Sequence, residues 1–266
     1  MERIQTALQK AKEQHGTAWR RELPPTSPTL PTLDMPWPKI PVRQPDLKVM
    51  AKNRIVTASH GDPAHAAFDI LRTRLQHEFR QNNWTSVGIT SPTPGCGKTM
   101  VSLNLAFSLA NQKNCRVVVV DLDLRRPQVA KTLGIANPCA LETYFKEQSD
   151  ITDVFVRYGD NVAVAANGRP VRFSAELLQA PETTRVLKAM KQRLCPNVII
   201  YDLPPILAND DVMAFLPNVD CAILVVAAEA TTVSEADLCE RELSERTKML
   251  GVVLNKCRYT PDKYGY

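Results

Sequence analysis

The chain has 266 residues, of which 44% are hydrophobic and 23% charged, with a net charge of +5. This composition is typical of a soluble globular protein with room for one large α/β domain or two small ones. The basic excess lies in residues 1–60, which carry ten Lys/Arg against five Asp/Glu, whereas residues 61–266 carry 23 of each. A neutral body argues against extended nucleic-acid binding, which needs many phosphate contacts, so no nucleic-acid partner is expected.

No apolar stretch approaches the roughly 18 residues of a transmembrane helix, and the first residues are too polar for a signal peptide. We therefore expect a cytoplasmic protein. The seven cysteines are scattered without a C-x-x-C pair. We expect reduced, buried thiols and neither an iron–sulfur nor a zinc site, because such sites need clustered thiolates.

Two segments are predicted in the first 60 residues. Ile4, Leu8 and Ala11 recur at helical spacing, which predicts a short amphipathic helix within 1–21, either frayed or docking a partner. Residues 22–60 are predicted to be a basic linker, because eight prolines between residues 22 and 45 favour polyproline II. Trp37 is expected either to anchor this tether on the body or to be loose.

Helical and strand patterns alternate from residue 61 to residue 256, which predicts one domain. The helical patterns span 66–80, 98–111, 182–194 and 233–247, and the strand patterns span 86–90, 116–123, 161–166, 197–205, 221–228 and 250–256. Such alternation predicts an α/β fold with a mostly parallel sheet and helices on both faces. Residues 257–266 form a predicted short tail that contains three tyrosines, Tyr259, Tyr264 and Tyr266.

The stretch "GITSPTPGCGKT" (88–99) ends like a phosphate-binding P-loop, although Pro92 replaces the first glycine of the standard signature. A P-loop binds phosphate through backbone N–H groups and the positive end of the following helix. The glycines allow that close approach, the lysine neutralises the β- and γ-phosphate oxygens, and the threonine hydroxyl can ligate Mg²⁺. The candidate nucleotide-binding residues of this loop are Gly95, Cys96, Gly97, Lys98, Thr99 and Met100.

Three carboxylates follow buried strands, in "VVVVDLDLRRP" (117–127) and "VIIYDLPP" (198–205). Asp121 and Asp202 are predicted at strand tips, where ligands bind in open α/β sheets. Asp123 is predicted to share a strand face with Asp121 by the period of two. Carboxylates beside a triphosphate can hold Mg²⁺ and accept a hydroxyl proton. A Mg·ATP-dependent protein is therefore predicted, with Lys98 and the three aspartates as catalytic candidates and Thr99, Asp121 and Asp202 as metal candidates.

These motifs together resemble the bacterial tyrosine kinases (BY-kinases) of capsule and exopolysaccharide synthesis, of the CpsD/CapB type within the deviant P-loop ATPases. The similarity covers about residues 68–256 and includes D-L-D-L-R (121–125), D-L-P-P (202–205) and "GVVLNK" (251–256). It implies ATP-dependent tyrosine autophosphorylation that regulates polysaccharide polymerisation and export. It also implies nucleotide-binding roles for Arg125 and for Asn255, the latter near the adenine, and autophosphorylation at the three tail tyrosines.

Departures from the family keep two alternatives open. The oligomer-forming E-x-x-R-x-x-R pattern retains only Arg72, with Ala66 and Asp69 at the other positions, so a homo-oligomer would rest on a degenerate motif. An ATPase of the same fold without effective kinase activity is one alternative. A partitioning- or positioning-type ATPase is the other, but Thr93 stands where that branch carries a signature lysine.

The resemblance also implies partners. The main one is a membrane-anchored polysaccharide co-polymerase, as a separate activating chain that would hold this protein peripherally at the inner face of the cell membrane. A cognate tyrosine phosphatase is a second implied partner.

Overall fold

A computed structural model describes residues 37–58 and 64–257. The expected N-terminal helix and the tyrosines Tyr259, Tyr264 and Tyr266 lie outside the described residues, as does most of the expected C-terminal tail. Eight strands are found in the described part: β1 Val42–Arg43, β2 Ser86–Ser91, β3 Val117–Asp121, β4 Phe155–Tyr158, β5 Val162–Ala165, β6 Val198–Pro205, β7 Cys221–Ala227 and β8 Lys248–Asn255.

Ten α-helices are found in the same residues. They are α1 Leu47–Lys52, α2 His65–Asn82, α3 Lys98–Ala110, α4 Val129–Leu133, α5 Leu141–Phe145, α6 Ile151–Val154, α7 Ser174–Gln179, α8 Pro181–Leu194, α9 Asp211–Phe215 and α10 Val233–Ser244. A 3₁₀ turn, Leu216–Asn218, follows α9. The four long predicted helices are confirmed to within three residues at each end.

The eight strands form one sheet in the order β1-β4-β5-β3-β6-β2-β7-β8. The β4–β5 pair is antiparallel, and every other pairing in the described sheet is parallel. The prediction of a mostly parallel sheet is therefore confirmed. Because parallel strands end at the same edge, the loops after β2, β3, β5, β6 and β7 gather at one edge of the sheet, the carboxyl edge.

Helices cover both faces of the sheet, as predicted. The alternating valines of β3 show the two layers: Val118 and Val120 lie in one apolar core with the helices α5 to α10, and Val117 and Val119 lie in the other with α2, α3 and α4. All four side chains are at most 2% exposed. The unbroken apolar run of β3 thus reflects a strand buried on both faces.

The described part of the predicted linker, residues 37–58, packs on the body, and Trp37 takes the anchored of its two expected arrangements. The Trp37 indole Nε1 donates to the Asp160 backbone oxygen over 2.7 Å, and its ring lies 5.1 Å from the Arg116 guanidinium carbon. Ile40 is buried in one core, whereas Met50 is buried in the other. We call residues 37–58 the strap, because they cross from one face of the sheet to the other and supply its edge strand, β1, on the way.

The strap is folded because its few apolar and polar groups find partners far away in the sequence. Strand β1 pairs with β4, and α1 begins at an Asp46 N-cap whose carboxylate accepts from the backbone N–H groups of Lys48 and Val49. The Asn104 side chain on α3 accepts from the backbone N–H groups of Val56 and Thr57. None of these contacts can be read from a proline-rich local pattern.

Two further expectations were tested against the described residues. No helix among them combines the length and apolarity required to cross a bilayer. All seven cysteines are free; Cys96, Cys115, Cys221 and Cys239 are buried, but Cys139, Cys195 and Cys257 are not. The expectation of reduced thiols is met, and the expectation of burial holds for four of the seven.

Candidate functional site

The P-loop joins β2 to α3 at the carboxyl edge of the sheet. Gly95 and Gly97 have φ of +87° and +93°, in the left-handed region that favours glycine. Gly97 caps α3, so the N–H groups of the first turn have no side-chain acceptor from the cap residue. This arrangement leaves donors and the positive end of a 13-residue helix for a phosphate group.

Lys98 is buried among acidic groups. Its Nζ lies 2.7 Å from Asp123 Oδ2, and the two side chains are 9% and 8% exposed. Burial lowers the pKa of the Lys98 ammonium, but the carboxylates of Asp202 and Asp123 outweigh that effect and raise its pKa above the ordinary value. Lys98 is therefore a cation at neutral pH, and its positive charge offsets a cluster of three aspartates.

Asp202 is held by the helix that follows the P-loop. Its Oδ2 accepts from the Thr99 hydroxyl at 2.6 Å, and its Oδ1 accepts from the Ser102 hydroxyl at 3.1 Å. Burial raises the pKa of this fully buried carboxyl, although Lys98 and the Thr99 hydrogen bond oppose the shift. The P-loop hydroxyl and the Asp202 carboxylate are thus in direct contact. The prediction that Asp202 ends its strand is wrong, because β6 continues to Pro205 and Asp202 lies within it.

Asp121 lies beside Asp202, because the two residues are register partners on β3 and β6. Asp121 is fully buried; its Oδ2 accepts from the Val129 backbone N–H at 3.1 Å, and its Oδ1 has no hydrogen-bond partner among the described residues. Burial, reinforced by the Asp202 charge, raises the pKa of Asp121 well above its ordinary range. A buried acceptor without a donor is costly and is typical of functional sites.

Asp123 reaches the site differently from what was predicted. Strand β3 ends at Asp121, so Asp123 lies in the loop that follows and does not share a strand face with Asp121. Its Oδ1 accepts from the Arg126 backbone N–H at 3.1 Å, which folds the loop back, and its Oδ2 contacts Lys98. The loop, not the strand pleat, brings Asp123 to the P-loop lysine.

The other predicted nucleotide-binding residues are placed around this centre. Asn255, the last residue of β8, donates from Nδ2 to the Cys96 backbone oxygen over 2.8 Å, which joins the end of that strand to the P-loop. Met100 lies in the first turn of α3, where its backbone oxygen accepts from Asn104. Arg125 pairs through its guanidinium with Asp211 at 3.0 Å and with Asp210 at 3.5 Å.

Three residues of this region were missed in the sequence: Ser102, Ser174 and Asp211. Ser102 lies one helical turn after Thr99, a spacing that could have indicated a shared partner. Ser174 and Asp211 accompany Arg125 in a hydrogen-bonded cluster, and neither stands in a motif that predicts this contact.

The donor set fits a hard divalent cation bound together with a nucleotide. Asp202 and Thr99 offer oxygen ligands, and the unpartnered Asp121 Oδ1 adds a third oxygen at the same edge. Within the described residues, no group of three His, Cys, Asp or Glu side chains forms a ready-made metal cage. Mg²⁺ is commonly bound through one or two carboxylates together with phosphates and water, and the oxygen donors of Asp202, Thr99 and Asp121 are of that kind.

Comparison with known proteins supports a nucleotide-binding domain. Residues 87–263 match the CbiA family model, described as the CobQ/CobB/MinD/ParA nucleotide binding domain. The tyrosine-protein kinase YwqD of Bacillus subtilis is 27% identical over 201 residues, which cover 74% of this chain and 83% of that protein. The tyrosine-protein kinase etk of Escherichia coli K12 is 28% identical over 196 residues, which cover 73% of this chain but 27% of that longer protein.

Solved structures agree. The kinase domain of the Escherichia coli tyrosine kinase ETK superposes with a TM-score of 0.69 at 27% identity, covering 77% of this chain and 82% of that chain. The chimerical protein CapA2B2 gives a TM-score of 0.72 over 94% of this chain and 99% of that chain, but at 20% identity it supports the fold alone. The predicted P-loop NTPase fold is thereby confirmed.

Proposed function

The chain belongs to the CobQ/CobB/MinD/ParA nucleotide binding domain family, and from this premise we propose that it is an ATP-dependent protein-tyrosine kinase of capsule or exopolysaccharide biosynthesis. It transfers the γ-phosphoryl group of ATP to tyrosine, first of all to tyrosines of its own chain. The names of YwqD and etk support this choice within the family. Thr93 supports it as well, because the partitioning branch carries a lysine there.

One observation carries the proposal: Lys98, Thr99, Asp121, Asp123 and Asp202 converge at one end of the P-loop helix, and all are at most 9% exposed. A buried cation and three carboxylates in one place can manage both the negative charge of a triphosphate and a proton. Their mutual repulsion and burial favour a bound cation, which relieves both. Apolar residues would serve a purely structural purpose better than such a cluster does.

In this reaction the chain supplies charge neutralisation and orientation. The N–H groups of 95–100 and the Lys98 ammonium stabilise negative charge on the transferring phosphoryl group. Thr99 and Asp202 would hold Mg²⁺, which would supply neutralisation of the negative charge on the phosphates. Asp121 orients the attacking hydroxyl or accepts its proton, a role that its raised pKa favours. Asn255 and Arg125 border the nucleotide.

An ATPase of the same fold remains the second candidate, because Arg72 is used inside the chain. Its Nη1 donates to Asp69 Oδ1 over 2.6 Å and to the Ser108 backbone oxygen over 3.1 Å. An arginine so occupied is less able to bind a neighbouring copy, and without a neighbour a tail tyrosine has no site to enter. In that case water replaces tyrosine as the phosphoryl acceptor.

The proposal includes a membrane-anchored polysaccharide co-polymerase as a separate activating partner, which would place the protein at the inner face of the membrane. A cognate tyrosine phosphatase would reverse the modification. These partners are proposed because the chain is similar to tyrosine-protein kinases. EpsB of Ralstonia solanacearum, which is 28% identical over 207 residues, is named as a putative tyrosine-protein kinase.

The test is incubation of the purified chain with Mg·ATP, followed by phosphotyrosine mapping by mass spectrometry and by measurement of ADP release. The control is Lys98→Met, checked for folding by circular dichroism. Phosphate on Tyr259, Tyr264 or Tyr266 that disappears in the control establishes the kinase. ADP release without phosphotyrosine, in the presence of the cytoplasmic segment of a co-polymerase as well as in its absence, supports the ATPase instead. Absence of ATP binding refutes both.

A further inference from the structure

A second hydrogen-bonded group of polar side chains lies next to the proposed site, and its buried members, Asp211 and Ser174, have no role in the reaction described above. Asp211, the first residue of α9, is fully buried, which is unusual for an ionised group unless it is paired. Its Oδ1 accepts from Arg125 Nη2 at 3.0 Å, and its Oδ2 accepts from Arg125 Nε at 3.3 Å. The two-point contact fixes the plane of the guanidinium.

Ser174 completes the cluster. Its hydroxyl donates to Asp211 Oδ2 over 2.7 Å and accepts from Arg125 Nε at 3.0 Å. Ser174 is also fully buried, and it begins α7 at the end of the loop that follows β5. The three side chains therefore hold one another within a closed hydrogen-bonded group, which we call the Arg125 clamp.

The clamp joins loops that leave three neighbouring strands of the sheet. Arg125 follows β3, Ser174 follows β5 and Asp211 follows β6, and these strands are adjacent in the order β5-β3-β6. A backbone hydrogen bond of 2.9 Å from the Val171 N–H to the Leu124 oxygen joins the first two loops as well. The β6 loop in turn is bonded to the P-loop, because the Leu207 N–H donates to the Pro92 oxygen.

Asp123 lies in the loop that links Asp121, at the end of β3, to the clamp, two residues before Arg125. Its position depends on the fold of this loop, since its Oδ1 accepts from the next backbone N–H group after Arg125, that of Arg126. A shift of Arg125 would therefore move Asp123 relative to Lys98, which it contacts at 2.7 Å. Displacements of about 1 Å in such a site lower phosphoryl-transfer rates strongly.

We propose that Asp211 and Ser174 are positioning residues of the phosphoryl-transfer site, which hold Arg125 and thereby fix the loop that presents Asp123 to Lys98. The inference rests on the proposed kinase or ATPase chemistry for its catalytic consequence. The geometry of the loop can be tested without that chemistry.

A matched control is provided by the neighbouring residue. Asp210 carries the same side chain and also faces Arg125, but at 3.5 Å and with 73% of its side chain exposed. An exposed pair of this kind contributes little. Asp210→Asn thus removes the same charge next to the same arginine without opening the clamp.

The first measurement is amide hydrogen exchange of peptides that span 122–129 in the nucleotide-free protein. Asp211→Asn and Arg125→Ala should accelerate exchange in this loop, Ser174→Ala should do so to a smaller extent, and Asp210→Asn should leave it as in the wild type. If Asp211→Asn does not fold, Ser174→Ala and Arg125→Ala carry the comparison. Unchanged exchange in the folded variants, or equal acceleration by Asp210→Asn, overturns the proposal.

The second measurement is steady-state turnover of Mg·ATP. Asp211→Asn should lower kcat about 10–100-fold, as loss of a supporting shell does, with less than about threefold change in the Kd of a fluorescent ADP analogue. The Asp211→Asn/Arg125→Ala double variant should be no slower than Arg125→Ala alone. Multiplicative losses would refute action through Arg125. A wild type without turnover refutes the proposed function, and the exchange result then still decides whether the clamp orders the loop.

Discussion

Asp121, the last residue of β3, and Asp202, within β6, are register partners on two adjacent parallel strands, and both carboxyl groups are fully buried. Thr99 and Ser102 donate to Asp202, whereas one oxygen of Asp121 has no hydrogen-bond donor in the described chain. Lys98 lies near both carboxyl groups, but its single positive charge is shared with Asp123. The nucleotide-free protein therefore carries an electrostatic strain at this point, which a bound cation would relieve.

Asp121→Asn should stabilise the nucleotide-free protein at pH 7 while abolishing turnover. Burial and the Asp202 charge raise the pKa of Asp121 in the folded state. The contribution of Asp121 to the free energy of unfolding is therefore fully present at pH values below its pKa in the unfolded chain. That contribution is lost as the pH rises through its pKa in the folded protein. Asparagine does not ionise, so the variant escapes that loss. We expect a gain of about 1–3 kcal/mol in the free energy of unfolding, because each unit of upward pKa shift costs about 1.4 kcal/mol once the carboxyl is ionised.

Urea unfolding at pH 7 and at pH 4 checks this expectation. The stability difference between variant and wild type should shrink at pH 4, where Asp121 takes up its proton in the folded wild type. A variant that is less stable than the wild type at both pH values would show that Asp121 is satisfied in the folded protein.

Gly97→Ala should weaken nucleotide binding at a modest cost in stability. The residue has φ of +93°, and an added Cβ would collide with the Asn255 side-chain amide, which holds the Cys96 oxygen. Gly159→Ala is the control, since that glycine also has positive φ, +59°, but has open space around its Cβ position in the β4–β5 turn. Both variants should lose about 1–2 kcal/mol of stability from the left-handed backbone.

Isothermal titration with Mg·ADP separates the two glycine variants. Gly97→Ala should weaken binding about tenfold or more, which corresponds to about 1.4 kcal/mol, and Gly159→Ala should bind as the wild type does. Equal affinity in both variants would mean that the P-loop tolerates a side chain at 97 and that Asn255 is not a fixed support of the loop.

Asn104→Ala should release the end of the strap. Asn104 Oδ1 accepts from the N–H groups of Val56 and Thr57 at 2.8 and 3.1 Å, and its Nδ2 donates to the Arg54 oxygen. Alanine leaves these backbone groups without partners, at a cost of about 2–4 kcal/mol. The exposed Asn82 supplies the control, because its side-chain amide donates hydrogen bonds to Glu78 and to no other described residue. Asn82→Ala should change the free energy of unfolding by less than about 0.5 kcal/mol.

Urea denaturation measures the loss in Asn104→Ala, and limited trypsin digestion locates it. Cleavage after Lys52 or Arg54 should become faster in Asn104→Ala than in Asn82→Ala. Cleavage at wild-type rate in a destabilised variant would show that the strap stays bound through Met50 and Ile55 and that the loss arises within α3.

The core of the fold and the centre of the site were predictable because they depend on local patterns. Apolar runs that end in a carboxylate mark buried parallel strands, and the strand–loop–helix context of Gly97-Lys98-Thr99 identifies a P-loop. The strap was not predictable in this way, since β1 has two residues and α1 six, and both are stabilised by distant partners. Short elements of this kind carry too few periodic positions to be recognised.

The pair Asp210 and Asp211 shows the same limit within the site. The two residues are identical and adjacent, yet one is 73% exposed and the other is fully buried on Arg125. No spacing or composition distinguishes them, because the difference arises from the approach of loops from three strands. The antiparallel β4, four residues long, was missed for a similar reason.

The described chain begins and ends at opposite ends of the sheet's strands. Trp37 is anchored beside Arg116 and Asp160, where β3 and β5 begin, whereas β8 ends at Asn255 against the P-loop. A surface linkage made next to Trp37 would therefore lie away from the ends of the strands that carry the P-loop. The same linkage after Cys257 would crowd those ends. Immobilised assays and fusion proteins should be built from the Trp37 side.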